Sequence, residues 1–375
     1  MDKHLHIVAF DVPYPPIYGG IIDLYFQLKA LHKIGVKITY HCFYYEGNNS
    51  PTNRLNDFAE QVFYYHRKKH IGKMVSSKLP FIVATRNDKK LLENLKANEA
   101  PILFSGLQSC FYLNHPDLLN REKFVRTHNI EHNYYRGLAA VEKNRIKKQY
   151  YLWEAKKLEK FESVLVRAKA IFSIAKMDIN HFSQYAKTYH SPPFFRFKKR
   201  QNGFDSIPLF GLFQGNLSVN ENIETVKFIA KNIAPFSKYE IIIAGKDPSQ
   251  EVIQLCTSLD MLKLVANPSQ DEMNMLIENA QINLLFTQQQ TGIKLKLLHA
   301  LAIGKHIIIN SKMDDKHLFQ NLCIVEDQTE LILKNFKALM SLPFTQDMFD
   351  ERQELFLSTF NNEQNAHQTM VTILG

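Results

Sequence analysis

Three groups of polar residues in the chain have the types and spacing that bind or transfer small anionic or hydroxylated groups. The first is Arg126-Thr-His-Asn-Ile-Glu131, which closes an apolar run beginning near Lys123. Polar side chains crowded at the mouth of a buried strand are costly unless they are paired or used. His128 is placed to hydrogen-bond a sugar hydroxyl, and Glu131 to orient a neighbour. The second group is spread over Phe213-Gln-Gly-Asn-Leu-Ser218, Ile243-Ala-Gly-Lys246 and Gln290-Thr-Gly-Ile-Lys-Leu-Lys296, each at the end of an apolar run. Gly215 and Gly245 keep those loops narrow, and Lys246 suits a phosphate as a point charge. Thr291-Gly292 opens a helical pattern, so its amides and dipole favour a diphosphate, with Lys294 and Lys296 adding positive charge. The third is the loop from Pro13 to Gly20. Its Gly19-Gly20 pair lets backbone approach a ligand at the start of a helix. It is not a G-x-G-x-x-G fingerprint, which the chain lacks after its strands. Each group also has a plain structural reading: a tight turn for the glycines, a satisfied core position for the histidine, solvated faces for the lysines.

The elements that must position these residues alternate between strand and helix. In the first part, 6–10, 36–43, 101–105, 123–127 and 170–173 read as strands, and 21–34 reads as an amphipathic helix that stops at Gly35. A single long amphipathic helix is expected from Tyr134 to about Lys169. A break with Pro192-Pro193, the basic run 196–200 and Asn202-Gly203 has the features of an inter-domain connection. The alternation then restarts, with strands at 209–214, 239–244, 263–265, 282–286 and 306–310, and helices at 222–233, 270–280 and 292–303. Short apolar strands alternating with helices predict parallel sheets covered on both faces. Ligands then belong to the loops at the carboxyl ends of the strands, and two such sheets facing each other would leave a cleft for them.

Composition narrows the classes. At 375 residues the chain exceeds the size of one ordinary core, so two domains are expected. Hydrophobic residues at 45% and charged residues at 22% argue against disorder. No apolar run reaches the roughly 20 residues that span a bilayer, and the first ten residues read as a strand rather than a signal peptide. A cytoplasmic protein is expected. The four cysteines, Cys42, Cys110, Cys256 and Cys323, have no metal-ligand spacing and read as buried small hydrophobes. A net charge of +9 suits anionic partners such as sugar nucleotides, an acidic polymer or a lipid surface. Peripheral contact at the inner membrane face fits that charge and the basic run 196–200. No nucleic-acid-binding signature accompanies it.

In this order the pieces resemble the GT-B glycosyltransferases, and among them the retaining group called GT4. The resemblance rests on Pro15-Pro16 to Gly19-Gly20 with the helix behind it, on Arg126 to Tyr135, and on Gln214-Gly-Asn-Leu, Ala244-Gly-Lys246 and the stretch from Gly292 to Lys305. It implies an α/β fold of two Rossmann-like parallel-sheet domains facing across a cleft. Residues 1–195 would form the acceptor-side domain, with a closing helix at about 353–375 packing back on it, and 205–350 the donor-binding domain. It further implies a retaining transfer, with no cofactor and no metal, from a nucleotide-sugar donor to a glycan, glycoprotein or lipid-linked acceptor, as in polysaccharide biosynthesis. His128 then contacts the transferred sugar, with Glu131 as its catalytic neighbour. Gly19, Gly20, Asn216, Lys246, Thr291, Gly292, Ile293, Lys294, Lys296 and His299 line the donor. The sequence departs from the family where a glutamate usually stands at His299 and at Thr291, and where Asn216 and Glu221 replace an arginine and a lysine. Those departures keep open a catalytically weakened GT-B-like protein that binds a glycan or acts as a scaffold. A sugar-nucleotide epimerase is a third reading, but no matching set of acid/base carboxylates accompanies it.

Overall fold

Strands such as Ile102–Ser105 and Ala170–Ser173 are buried at every position, so neither face can be left to water. That pattern belongs to parallel sheets covered on both sides. In the computed structural model, residues 3–16, 18–45, 50–67, 78–142, 144–196, 200–204, 209–288 and 294–375 are described, and they fall into two units.

The first unit comprises the residues through Arg196 together with Phe360–Gly375. Its strands are β1 (His4–Ala9), β2 (Lys37–Tyr44), β3 (Gln61–His66), β4 (Ile102–Ser105), β5 (Lys123–Thr127), β6 (Ala170–Ser173) and β7 (Thr188–His190). They pair in parallel in the order β3-β2-β1-β4-β5-β6-β7. The order reverses between β1 and β4, where open α/β sheets bind ligands. The helices are α1 (Gly19–Lys33), α2 (Phe81–Ala84), α3 (Lys89–Leu95), α4 (Glu131–Val141), α5 (Arg145–Phe161) and α6 (Ile179–Phe182).

The long helix expected from Tyr134 is divided. Helix α4 ends at Val141, and Asn144 starts α5 by accepting hydrogen bonds from the Ile146 and Lys147 amides. After Phe161 the backbone tightens into a 3₁₀ segment, Glu162–Arg167. The amphipathic pattern continues across the break, so periodicity alone does not reveal it. The stretch expected to close the chain is likewise two helices. Asn361 caps the last one, Asn362–Leu374, by accepting from the Glu363 and Gln364 amides. Its Ala366, Met370 and Ile373 join Leu24, Leu28 and Leu31 of α1 in one buried cluster.

The second unit comprises the described residues between Arg196 and Phe360. Strands β8 (Phe210–Asn216), β9 (Glu240–Lys246), β10 (Leu262–Ala266), β11 (Ile282–Leu285), β12 (His306–Ile309) and β13 (Ile324–Val325) pair in parallel as β10-β9-β8-β11-β12-β13. The switch point here lies between β8 and β11. The helices are α7 (Asn220–Asn232), α8 (Gln250–Ser258), α9 (Gln270–Asn279), α10 (Leu295–Ile303), α11 (Thr329–Ser341) and α12 (Gln346–Thr359). Arg352 of α12 donates to the carbonyls of Gly304 and Lys305 after α10. At Gly245 a β-carbon would stand 1.7 Å from the Gly215 carbonyl oxygen, so only glycine lets the ends of β8 and β9 lie together.

Cys42, Cys110 and Cys256 are buried, in keeping with a role as small hydrophobes, whereas Cys323 is only partly buried. No helix of the described residues is long and apolar enough to cross a membrane.

Candidate functional site

In the first unit the polar residues at the strand ends form one buried network. Arg126, in β5, is fully enclosed. Its Nη2 donates to Asp23 Oδ1 at 2.8 Å and its Nε to Asp23 Oδ2 at 3.1 Å. The remaining guanidinium protons go to the Ser191 and Pro192 carbonyls and the Ser191 hydroxyl. Asp23 lies in α1 and also accepts from the Phe194 amide at 2.7 Å and from His128 Nε2 at 3.0 Å. Burial alone would push the Asp23 carboxyl up; Arg126 and His128 outweigh it and hold it well below the usual carboxylate range. The ionised carboxylate keeps the His128 proton on Nε2. In the neutral ring that leaves Nδ1 as a buried acceptor, and it has no hydrogen-bond partner.

Phe10 completes the surroundings of this ring. It meets His128 edge-on at 5.3 Å between centroids, and a β-carbon on Gly20 would lie 2.9 Å from its Cζ. The structure therefore brings Gly20 and His128 together through Phe10. Gly19 is exposed at the first position of α1.

Glu131 opens α4 and is buried. Burial, with Glu162 nearby and Arg86 opposing, raises its carboxyl to about 7. Arg86 is enclosed and donates to the Phe10 carbonyl at 2.7 and 2.9 Å; burial first, then the neighbouring Arg67, lowers it to about 9. Asp11 stands close by, accepting from the Val12 amide at 2.9 Å and the Tyr18 hydroxyl at 3.1 Å. Arg67 lies under the Tyr45 ring and donates to Thr85 at 3.1 Å, while its Nε is buried without a partner. Two desolvated guanidinium groups and the Asp11 carboxylate thus lie together near the carboxyl ends of β1 and β3.

In the second unit the candidate residues gather at the ends of β8, β9 and β11. Asn216 and Lys246 are register partners at the exposed ends of β8 and β9. Asn216 Oδ1 accepts from the Ser218 amide at 3.0 Å and hydroxyl at 2.7 Å. Thr291, Gly292 and Ile293 lie outside the described residues. The helix expected to begin at Gly292 is described only from Leu295. Lys294 precedes it in extended conformation, with no side chain capping the first turn. Lys296 is thus in the first turn, its ammonium 3.4 Å from Asn222 Oδ1 and 5.2 Å from the centroid of Phe213. Burial, then Lys294, lowers it to about 8, and Glu221 opposes both; the same burial lowers Lys294. His299 is half-buried further along α10.

Glu221, in the first turn of α7, accepts from the Thr287 hydroxyl and from the Gln288 amide at 3.0 Å. The position that departs from the family therefore holds a carboxylate beside two partly desolvated lysines. The residues that motif reading passed over are Asp23, Asp11, Arg67 and Arg86. Asp23 gives only a faint signal, a lone carboxylate in an otherwise apolar helical stretch.

The chain matches no protein-family model. A curated protein of Klebsiella pneumoniae, described as an uncharacterized 44.6 kDa protein in cps region, is 25% identical over 321 residues, 81% of this chain and 82% of its own length. Among solved structures, TarM superposes with a TM-score of 0.70 at 8% identity, over 100% of this chain and 99% of its own. An α,α-trehalose-phosphate synthase (UDP-forming) from Burkholderia xenovorans, in complex with glucose-6-phosphate, gives 0.63 at 8% identity, over 100% of both chains. A trehalose-6-phosphate synthase studied for glycosyl transfer with retention gives 0.66 at 7% identity, over 99% of both. At these identities the likeness is one of fold: two parallel-sheet α/β units of the GT-B type.

Proposed function

We propose that the chain is a glycosyltransferase of the retaining GT4 kind. It moves a sugar from a nucleotide-sugar donor to a glycan, glycoprotein or lipid-linked acceptor, without a metal in the reaction. The observation that carries this reading is His128 Nδ1, a buried acceptor with no protein partner, locked in its tautomer by Asp23. Leaving such an atom unsatisfied costs about 1–3 kcal/mol, which a ligand hydroxyl recovers. The likeness in fold to synthases that transfer glycosyl groups supports the same assignment.

In this reading the second unit holds the donor. Lys294 and Lys296, with Lys246 and the first amides of α10, offset charge on the departing diphosphate as the glycosidic bond breaks. Thr291, Gly292, Ile293, Asn216 and His299 complete the donor's contacts. The first unit holds the acceptor, with Arg67 and Arg86 setting its polar end. His128 accepts a hydrogen bond from a hydroxyl of the transferred sugar. Glu131, raised to about 7 by burial, orients that neighbourhood.

Glu221 favours a second reading, because an internal carboxylate beside Lys294 and Lys296 competes with a bound anion. A weakened relative would bind sugar nucleotides or glycans and turn nothing over. A thermal-shift panel of UDP-, GDP- and ADP-sugars, followed by donor hydrolysis with the stabilising compound, separates the two. Transfer requires both a shift and slow hydrolysis, with kcat/KM falling about 10- to 100-fold in His128→Ala. A shift without hydrolysis supports the binding protein, and no shift with any donor removes both readings.

A further inference from the structure

His132, Glu162 and His181 converge from three elements of the first unit, away from Asp23 and His128. His132 is in the first turn of α4, Glu162 begins the 3₁₀ segment after α5, and His181 is in α6. Glu162 Oε2 lies 3.3 Å from His132 Nδ1, 2.8 Å from His181 Nε2 and 3.3 Å from the Tyr185 hydroxyl. The three ligand-type atoms are within 4.8 Å of one another. Leu158, Leu165, Phe182 and Ile130 belong to one buried cluster with Tyr135 and Tyr185 packed against it, and the buried Glu131 carboxyl is near enough to Glu162 to be raised by it. The side chains are 7%, 1% and 24% exposed for His132, Glu162 and His181. A route from solvent therefore leads in along His181.

One carboxylate oxygen facing three polar groups leaves the cluster incompletely satisfied. His132 Nδ1, nine-tenths buried and aimed at Glu162, makes no hydrogen bond. We propose that His132, Glu162 and His181 bind a single transition-metal dication of the zinc type. Zinc–nitrogen and zinc–oxygen bonds of about 2.0–2.2 Å in tetrahedral geometry put ligand atoms roughly 3.3 Å apart. The His132–Glu162 separation already matches this, the His181–Glu162 separation of 2.8 Å is somewhat short of it, and all three ligand atoms lie within 4.8 Å of one another. Two imidazoles and one carboxylate favour zinc, cobalt or nickel over magnesium or calcium, which prefer all-oxygen shells. The Tyr185 hydroxyl or a water fills the fourth position. With the ion on Nε2, His181 Nδ1 carries the proton, and the Gln184 side-chain amide 3.4 Å away accepts it once its oxygen is turned toward the ring. The ion fastens α4 and α6 to the 3₁₀ segment that follows α5. It takes no part in the transfer reaction proposed above and does not depend on it.

The test uses untagged, full-length protein stripped with EDTA and titrated with Co²⁺ or Zn²⁺ alone. The expected result is one ion per chain by elemental analysis, with the visible absorption of tetrahedral Co²⁺. Tm should rise by roughly 5 °C at a hundredfold excess over Kd. His181→Ala, at the most exposed ligand, should weaken binding at least about 100-fold while the metal-free Tm is kept. If that variant does not fold, His132→Asn serves the same purpose with a smaller change of shape. Unstripped and stripped protein that both fail to retain Co²⁺, or a folded variant that binds as tightly as the parent, overturns the site.

Discussion

Asp23 accepts from a guanidinium, an imidazole and a main-chain amide from segments far apart in the chain. Asp23→Asn removes the charge that compensates Arg126, and leaving a buried guanidinium unpaired costs about 3–5 kcal/mol. Urea unfolding should report a loss of that size, and an unchanged midpoint would show that Arg126 is compensated by its carbonyl partners instead. Lys296 offers a separate check. With its ammonium lowered to about 8, donor binding should weaken as pH rises through 8 and the charge is lost. Lys296→Arg should move that alkaline limit upward, whereas Lys296→Ala should cut donor hydrolysis about 100-fold at pH 7. A pH profile identical in parent and arginine variant would assign the limit to another group. His128 and the lysines are legible in sequence because they sit at the ends of apolar runs. Asp23 is barely so: its partners are 103 and 105 residues away, and its only local mark is a lone carboxylate in an apolar helical stretch. The His132–Glu162–His181 group is hidden for the same reason, since its members have no ligand spacing.

Across β1, β2 and β3 a line of side chains joins the strands edgewise: Asn98 to His6, His6 to His41 at 2.9 Å, and His41 to the Tyr65 hydroxyl at 2.8 Å. Burial lowers His6 to about 4 and takes His41 well below its ordinary value. Both rings are therefore neutral in the folded sheet and take up protons more readily when it unfolds. The stability they confer is complete above the unfolded value near 6.5 and is lost as pH falls toward 4. For His6 alone the loss is about 3 kcal/mol between pH 7 and pH 4. Denaturant midpoints across that interval should fall accordingly, and a His6→Asn variant should flatten the trend. An equally steep trend in the variant would place the sensitivity elsewhere. At this scale strand positions were the most readable part of the sequence. β5 and β6 match their apolar runs residue for residue, because each run is bounded by charged or turn-forming neighbours. Strands β3 and β7 were missed, being sheet edges with partly exposed aromatic and polar residues. The break between α4 and α5 was missed because an asparagine cap, rather than glycine or proline, makes it.

The two units are built on the same strand order, 3-2-1-4-5-6 when each is numbered from its own first strand, with one strand more in the first. Chain alternation and the restart after residue 200 make that duplication visible in sequence. The family resemblance returns residues 353–375 to the first unit, and Asn362–Leu374 lies there. What sequence did not disclose is that Gln346–Thr359 is a separate helix belonging to the second unit, since both are amphipathic and only their partners distinguish them. Met370 and Ile373 are enclosed with the residues of α1. Met370→Ala or Ile373→Ala should cost about 2–5 kcal/mol. Hydrogen exchange should accelerate in β1, β2 and α1 and leave β8, β9 and β11 as protected as before. Uniform acceleration through both sheets would mean that the units unfold as one.

That last helix also imposes an order on biosynthesis. A ribosome delivers α1 near the beginning and its covering helix only after every strand of the second unit has emerged. Until then Leu24, Leu28 and Leu31 lack part of their cover, even though most of the surrounding sheet can already form. The nascent chain thus carries a sticky seam while the second unit is being translated, which is where a chaperone would be expected to hold it.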